Sequence, residues 1–468
     1  MERQIEILLK YAERQGLISG LDRIVCRNNL IELLGLTKPV DGDTEAIPRI
    51  DDIDAILEPI LDYAVRTGLI EEDSIVYRDL FEDRIMALLT PRQSEIERKF
   101  SDLTEKYGAD RATAYFYGLS RATNYIKVKR INKNLYWTTH TEYGDIEITI
   151  NLSKPEKDPK EIARAKTVVQ SGYPKCLLCA ENIGFSGNIN HPPRRTHRII
   201  PVELNSEEWY LQYSPYLYYN EHCIVLSGRH MPMKISKETF VRLLDFVEMY
   251  PHYFVGSNAD LPIVGGSILT HDHFQGGGHD FPMASAPVER SFKSSAYLNT
   301  KLNIVKWPMS VIRLNGCDKA EIVKLAVKVL ESWRMYSDET VGIHAFSGDT
   351  PHNTITPIAR MNAEGAFELD LVLRNNRTSE AHPDGIFHPH KELHHVKKEN
   401  IGLIEVMGLA VLPGRLAAEI SDANDKQAKQ EEIGRVFEKV LEHAGVYKRD
   451  EVGQKAFDAF VTSLGFYN

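Results

Sequence analysis

The chain has 468 residues, of which 43% are hydrophobic and 26% are charged, and its net charge is −10. This composition is typical of a soluble globular protein, and the length exceeds one ordinary core, so two or three folded units are expected. A net negative chain repels nucleic acid and anionic lipid, so we expect neither a nucleic-acid partner nor a membrane partner.

The first residues are charged and lead into an amphipathic helix, without the apolar run of a signal peptide. No segment approaches the ~18 apolar residues that span a bilayer, so we expect a cytoplasmic protein. Five cysteines in 468 residues do not indicate a disulfide framework. Cys176 and Cys179 form a C-x-x-C pair, which in a reducing compartment is more often a metal or redox site.

Residues 1–125 are predicted to be helical, because apolar positions recur at three- and four-residue spacing. This region contains a repeat: residues 11–18 match residues 63–70, and residues 24–27 then match residues 75–78. Each copy predicts a helix that ends at a glycine and is followed by a short extended piece. Two copies are too few for a solenoid, so we expect a duplicated helical region that packs on the main body and carries no visible chemistry.

Strand character begins near residue 125, and the sequence then predicts two similar runs of elements. The predicted elements are strand 145–152, a helix near 160–170, strand 223–226, a helix after Ser236, two strands before residue 290, strand 310–314, a helix about 319–335, strands at 355–358 and 367–373, and helices over 425–465. The mixture indicates an α+β fold with antiparallel sheet. We expect a helical region 1–125 and two related halves, 126–300 and 301–468, of which only the first kept reactive histidines.

The chemistry concentrates in residues 265–279, which contain Gly-Gly-Ser-Ile-Leu-Thr-His-Asp-His-Phe-Gln-Gly-Gly. On a strand, alternate side chains share a face, so His271, His273 and Gln275 are predicted to project together, roughly 7 Å apart in turn. Glycine lets backbone N–H groups approach a ligand, which suits a phosphoryl group. The alternative is a pair of half-exposed histidines on a surface strand, but Gln275 and the glycine pairs favour a reactive site.

These residues closely resemble the active-site segment of the type 2 galactose-1-phosphate uridylyltransferases of bacteria. That family belongs to the histidine-triad superfamily, whose strand reads His-x-His-x-His, with Gln as the third member in the transferases. Four other segments resemble the same family, namely residues 120–125, 151–159, 176–182 and 401–408. The resemblance covers effectively the whole chain, and it implies two histidine-triad-like halves.

The resemblance implies a double displacement with His273 as the nucleophile. His273 would attack the α-phosphorus of UDP-glucose, release glucose 1-phosphate and hold UMP, which galactose 1-phosphate would then accept. Neutral imidazole is a good nucleophile near neutral pH. The leaving group is a phosphate oxygen that needs no general acid, so Gln275 is expected to donate to a non-bridging phosphoryl oxygen instead.

The resemblance also implies contacts with the nucleotide. Asn258 and Ser267 fall where related transferases contact the nucleotide phosphates, and Arg130 lies in a segment that resembles the family's early phosphate- and uridine-binding strand. Gly265 and Gly266 are expected beside the phosphates as well. The alternatives are a polar loop cap for Asn258 and a solvated charge for Arg130.

In the type 1 relatives, two cysteines and two histidines hold a structural zinc. The matching positions here are Cys176, Cys179, His230 and His271. Such a set suits a tetrahedral Cys₂His₂ site, which would stiffen the catalytic strand. The alternatives are a reduced C-x-x-C pair beside core histidines, or a site in which His222 or His279 replaces one of the histidines.

Residues 388–390 read His-Pro-His, the type 1 form of the active-site motif, but they lack flanking glycines. Glu392 stands where Gln is needed, and a carboxylate there would repel a phosphate. With His382, His394 and His395 nearby, this stretch is interpreted as a second metal site, a sugar-phosphate contact or a polar surface loop.

Two other functions are compatible with the motifs. One is a histidine-triad nucleotide phosphorylase or hydrolase, which uses phosphate or water as the acceptor, although Gln275 argues against a simple hydrolase. The other is a zinc-stabilised binding protein whose histidines only hold metal. The family resemblance implies a homodimer, and the sequence does not fix the hexose.

Overall fold

The computed structural model describes residues 1–39, 48–152, 172–266 and 268–467. The chain divides into a first unit of Met1–Lys133, Ser153–Pro201 and Tyr210–Leu217, and a second unit of Asn134–Leu152, Val202–Trp209 and Tyr218–Asn468. The helix expected near 160–170 and Ser267 lie outside the described residues.

The first unit is mainly helical up to residue 131, as the apolar spacing predicts. Its helices are α1 (Glu2–Arg14), α2 (Asp22–Leu33), α3 (Ile53–Arg66), α4 (Ile75–Ala87), α5 (Gln93–Tyr107), α6 (Ala109–Ala122) and α7 (Val128–Ile131). Helix α3 shows how the sequence starts such a helix: the carboxylate of Asp52 accepts the N–H groups of Asp54 and Ala55, which have no partner inside the helix.

The structure can be compared with the elements predicted for each copy of the repeat in the first unit. Gly16 and Gly68 follow α1 and α3 with φ of +67° and +77°, so the predicted glycine ends are present. The extended pieces predicted at 24–27 and 75–78 are wrong, because the first lies inside α2 and the second forms the first turn of α4. Helix formation is cooperative, so helix-forming residues downstream extend it through these β-branched positions.

The strand predicted to begin near residue 125 is also wrong. The short helix α7 occupies residues 128–131, and the first strand begins at Leu135. The turn before α7 places Asn124 at φ +54°, and the N–H of Arg130 then donates to the carbonyl of Lys127 at 3.0 Å. These local hydrogen bonds compete successfully with strand pairing.

The described strands begin at Leu135. The strands are β1 (Leu135–Thr141), β2 (Gly144–Ile150), β3 (Ile200–Leu204), β4 (Glu207–Tyr213), β5 (Cys223–Ser227), β6 (Phe254–Gly256), β7 (His273–Gly277), β8 (Val288–Phe292), β9 (Thr300–Val305), β10 (Val311–Gly316), β11 (Phe346–Ser347), β12 (Thr350–Pro351), β13 (Asn353–Met361), β14 (Phe367–Asn375) and β15 (Leu409–Leu412). The helices that follow α7 are α8 (Lys237–Met249), α9 (Pro282–Ser285), α10 (Lys319–Met335), α11 (Leu403–Val406), α12 (Arg415–Asp422), α13 (Lys426–Ala444) and α14 (Glu451–Ser463).

Within the described residues, the main sheet has ten strands in the order β3-β4-β5-β7-β6-β13-β14-β10-β9-β8. From β5 to β8 each neighbouring pair is antiparallel. Five strands counted inward from β3 have counterparts in the five strands counted inward from β8. By this count, β7 is fourth in the first half and matches β14, which is fourth in the second. The α+β class and the two related halves predicted from the sequence are confirmed.

Two helices cover the centre of this sheet. Helices α8 and α10 pack against each other and on β13, and both begin where the sequence predicts. The backbone N–H of Ser236 donates to Oγ1 of Thr239 at 3.1 Å, and Asp318 accepts from the N–H of Glu321, so each first turn is capped. Of the helices in the described part of the chain, none has the length and apolar character needed to cross a bilayer.

Candidate active site and metal ligands

His273 is the first residue of β7, where it pairs with Leu226 of β5. Its side chain is buried, and Nδ1 lies 2.8 Å from the carbonyl oxygen of His271. Because a carbonyl only accepts, Nδ1 carries the proton and Nε2 carries the lone pair. Burial lowers the pKa of His273 to about 4, so the imidazole is neutral at pH 7. The geometry therefore provides a neutral nitrogen nucleophile of fixed tautomer.

The opposite face of β7 is anchored by an aromatic stack. Phe274 is fully buried and stacks on Trp209, with ring centroids 4.8 Å apart and planes at 7°. The guanidinium of Arg242 lies 5.2 Å from the Trp209 ring. Since successive strand residues alternate between faces, this anchor fixes the side chains of His273 and Gln275 on the other face.

The amide of Gln275 is oriented by a histidine. Nε2 of His222 donates to Oε1 of Gln275 at 3.2 Å, so the Gln275 NH₂ group is directed away from His222. His222 is itself buried, and its ring centroid lies 4.5 Å from that of Tyr219. The sequence indicates no such role for His222, because the contact depends on β5 lying beside β7.

His271 lies just before β7, which corrects the prediction that it shares a strand face with His273. The backbone there pairs with a loop instead, since the N–H of Asp272 donates to the carbonyl of Met231 at 2.7 Å. Nε2 of His271 donates to the carbonyl of Ser227 at 2.9 Å, so Nδ1 is the acceptor atom of the ring. The rings of His271 and His230 lie 5.1 Å apart.

Cys176 and Cys179 lie close together in the first unit. Their sulfur atoms are 3.5 Å apart, and the N–H of Leu178 donates to the Cys176 sulfur at 3.4 Å. Zinc–sulfur bonds of ~2.3 Å in a tetrahedron place two sulfurs roughly 3.8 Å apart, so the pair fits a zinc ion. The possible metal ligands of the predicted set are Cys176, Cys179, His230 and His271.

The two competing histidines are engaged elsewhere. His222 holds Gln275, and Nε2 of His279 lies 2.8 Å from Oε2 of Glu147. The contacts thus favour His230 and His271 as the histidines of the predicted set.

The loop before β7 contains Asn258, Gly265 and Gly266. Oδ1 of Asn258 accepts the N–H of Leu403 at 2.9 Å, so this side chain caps α11. A Cβ on Gly266 would lie 2.5 Å from Nδ2 of Asn258, and one on Gly265 would lie 2.5 Å from a backbone carbonyl. Packing alone therefore requires both glycines. Ser267 is outside the described residues.

Arg130 lies in the first unit, in a bidentate ion pair with Asp79 at 2.7 and 2.5 Å. The pair lines a cavity of about 90 Å³ in that unit, together with Lys127, Arg194 and Tyr125. Arg130 is thus paired with Asp79, and it is not the solvated charge that the sequence analysis gave as the alternative.

Sequence comparison matches both parts of the chain to one family. Residues 18–232 match the N-terminal domain of galactose-1-phosphate uridyl transferase, and residues 246–439 match its C-terminal domain. The chain belongs to the galactose-1-phosphate uridyl transferase family. Family membership extends over both halves of the sheet, including the strand that carries His273.

The relatives are similar over almost their whole length. A galactose-1-phosphate uridylyltransferase of Caldanaerobacter subterraneus is 54% identical, over 99% of this chain and 98% of the relative. Those of Halalkalibacterium halodurans and Bacillus subtilis are 52% and 51% identical, each over 98% of this chain and over 98% and 97% of the relative. A solved structure of yeast Ap4A phosphorylase Apa2 is 11% identical, with a TM-score of 0.37, over 75% of this chain and 94% of that chain.

Proposed function

We propose that this protein transfers UMP from UDP-glucose to galactose 1-phosphate through a covalent uridylyl-histidine at His273. Membership of the family supports the reaction class. The observation that carries the residue assignment is the hydrogen bond of 2.8 Å from Nδ1 of His273 to the carbonyl of His271, which directs the lone pair to Nε2. A nucleophile whose tautomer is fixed before substrate binds needs little reorganisation in the reaction.

The reaction has two displacements at one phosphorus. Nε2 of His273 forms a bond to the α-phosphorus of UDP-glucose, and the bond from that phosphorus to the bridging oxygen breaks, so glucose 1-phosphate leaves with the electron pair. A phosphate oxygen of galactose 1-phosphate then attacks the same phosphorus and displaces the imidazole. UDP-galactose forms, and the nitrogen regains its lone pair.

Gln275 stabilises the charge that develops on the phosphoryl oxygens. Its amide oxygen is held by His222, which leaves the NH₂ group to donate to a non-bridging oxygen. A neutral donor is sufficient because the leaving group is already a weak base.

We propose that Arg130, Asn258, Gly265, Gly266 and Ser267 contact the substrates. Asn258 and the two glycines are supported by their place in the loop before the nucleophile. Arg130 is supported by the cavity that it lines in the first unit, where Asp79 holds its guanidinium in one orientation.

Cys176, Cys179, His230 and His271 are proposed to hold a structural zinc ion. The sulfur separation of 3.5 Å and the tautomer of His271 both support this assignment. Zinc would supply rigidity rather than chemistry, because His271 precedes the nucleophile by two residues and its carbonyl orients the His273 ring.

The remaining assignments follow from the sequence analysis. We propose a cytoplasmic homodimer that binds neither nucleic acid nor membrane, with a helical region 1–125 and two halves at 126–300 and 301–468. The order of strands in the main sheet supports a division into two halves, although it groups β8, at Val288–Phe292, with the second half.

The covalent intermediate is tested by incubating the protein with UDP-glucose alone and measuring the mass of the intact chain. The wild type is expected to gain one UMP, which maps to His273 after proteolysis. His273→Ala is expected to gain none and to lose at least about 10³-fold in turnover, since the nucleophile is absent.

His140→Ala is the matched control, because His140 is an exposed histidine on β1. It is expected to form the adduct at the wild-type level. Adduct formation on His273→Ala would contradict the assignment. Product formation that requires inorganic phosphate or water, with no dependence on galactose 1-phosphate, would identify the phosphorylase or hydrolase instead.

A further inference from the structure

A second group of imidazoles lies in the second unit, outside the residues assigned so far. His382 and His390 are in the segment between β14 and α11, and His443 is in the last turn of α13. The ring centroids of His382 and His390 are 4.0 Å apart, and those of His390 and His443 are 4.3 Å apart. Oε1 of Glu392 lies 3.9 Å from Nδ1 of His390.

Hydrogen bonds orient two of these rings: Nδ1 of His443 accepts the backbone N–H of His390 at 3.3 Å, a contact that ligation through this nitrogen would replace. Nε2 of His390 donates to the carbonyl of Ile386 at 3.0 Å, so Nδ1 carries the lone pair and lies on the side of Glu392. One possible ligand atom each from His390, Glu392 and His443 lies within 4.8 Å of the others. Small side-chain rotations bring such atoms to the roughly 3.3 Å spacing of ligands around one ion with bonds of ~2.0–2.1 Å.

We propose that His390, Glu392 and His443 bind one divalent transition-metal ion. Two imidazoles and one carboxylate suit ions such as Zn²⁺ and Fe²⁺ rather than Ca²⁺ or Mg²⁺. Glu392 is exposed, which leaves coordination positions to water. His382 stacks on His390 and holds its ring in place. The ion joins the segment around residues 382–392 to the end of α13.

Lys448, whose charge acts on His443, does not compete with a metal ion for the Glu392 carboxylate. Nζ of Lys448 donates to the carbonyls of Glu442, His443 and Gly445 at 3.0, 3.0 and 2.8 Å, so its charge is held by the end of α13. Glu392 therefore remains the anion beside the imidazoles. Of the three interpretations that the His-Pro-His sequence allows, this convergence favours the metal site.

Metal stoichiometry tests the proposal. The full-length chain is stripped with a chelator, loaded with Zn²⁺, passed through a desalting column and analysed for zinc. The double variant His390→Ala/His443→Gln is expected to hold one ion fewer per chain than the wild type, and His140→Ala the same number. Equal zinc content in the double variant and the wild type overturns the site.

Two further measurements separate this site from the C-x-x-C ligands and from misfolding. Glu392→Gln changes only an exposed side chain, and it is expected to weaken the affinity of this ion at least tenfold. Cys176→Ser/Cys179→Ser is expected to bind one Co²⁺ whose spectrum lacks sulfur-to-cobalt charge transfer. Unchanged affinity in Glu392→Gln, or no Co²⁺ bound in the cysteine variant, contradicts the proposal. Formation of the UMP adduct reports separately on the proposed function.

Discussion

At the scale of single residues, the proposed chemistry depends on groups that orient the reacting atoms. His273 is oriented by a main-chain carbonyl, and Gln275 is oriented by a side chain, His222. Substitution of His271 leaves its main-chain carbonyl in place, whereas substitution of His222 removes the side chain that orients Gln275. His222 is therefore the more accessible test of how strongly orientation contributes to turnover.

His222→Ala is expected to lower kcat about tenfold with little change in KM. Without His222 the Gln275 amide is misdirected, and this weakens its contact with the transition state more than its contact with the bound substrate. His222→Gln keeps an N–H donor and is expected to recover part of the loss. The measurement is steady-state kinetics of both variants with UDP-glucose and galactose 1-phosphate.

A double-mutant cycle shows whether the two residues act together. If His222 acts through Gln275, its substitution in a Gln275→Ala background has little further effect on kcat. Additive losses would mean that His222 contributes only to packing with Tyr219. His140→Ala again provides the control, since it removes an exposed imidazole from the same unit.

The sequence is sufficient to propose His273 and Gln275 as the reactive residues, because they lie within one short motif. It was not sufficient to predict their partners. His222 is 53 residues from Gln275, and Asp79 is 51 residues from Arg130. Such contacts depend on which elements become neighbours, which local patterns do not encode.

At the scale of elements, β10, β13 and β14 share a buried ion network. Asp370 of β14 is fully buried and accepts from Arg313 at 2.7 and 2.9 Å and from Arg360 at 2.7 Å. Burial raises the pKa of Asp370, but the two guanidinium groups outweigh burial and hold the pKa below its ordinary value. The carboxylate thus joins the three strands in its charged form.

Asp370→Asn is expected to lower the free energy of unfolding by about 3 kcal/mol at pH 7, because it removes the nearer of the two carboxylates that pair with buried Arg313. A lowered pKa in the folded state means that Asp370 stabilises the fold above its unfolded pKa near 3.9. That contribution is lost as the pH falls through the lower, folded pKa. The difference between variant and wild type should therefore shrink below about pH 4.

Urea unfolding at a series of pH values measures this difference. Glu364→Gln is the control, because Glu364 is exposed in the turn between β13 and β14. A difference of the same size at pH 3 and at pH 7 would show that the lost stability comes from packing and not from the ion pairs.

The elements themselves were predicted with uneven success. The alternation at 145–152, the helix start after Ser236 and the apolar pattern over 319–335 predicted correct elements. Residues 24–27 and 75–78 were predicted to be extended and are helical. Their β-branched residues carry only a weak preference, which the surrounding helix overrides.

At the scale of the whole molecule, removal of the zinc proposed at the C-x-x-C pair is expected to destabilise the protein. Cys176→Ser should hold one zinc ion fewer than the wild type and unfold at a Tm several degrees lower, since bound metal stabilises only the folded chain. Thermal unfolding of the purified protein, together with metal analysis, measures both effects.

Cys317→Ser is the matched control, because Cys317 is an exposed free cysteine. It is expected to keep the wild-type zinc content and Tm. Wild-type protein that contains no zinc and still has full activity would contradict the metal assignment for Cys176.

The matching places of β7 and β14 have an evolutionary consequence. Of the two matching strands, β7 carries the proposed nucleophile His273, and β14 carries Asp370 and Arg374, whose charges are buried in the sheet. The two strands are then under different selection. A substitution at Gln275 would be selected through its effect on activity, whereas one at Arg374 would be selected through its effect on folding. We therefore expect β7 and β14 to differ in which of their positions accept substitution.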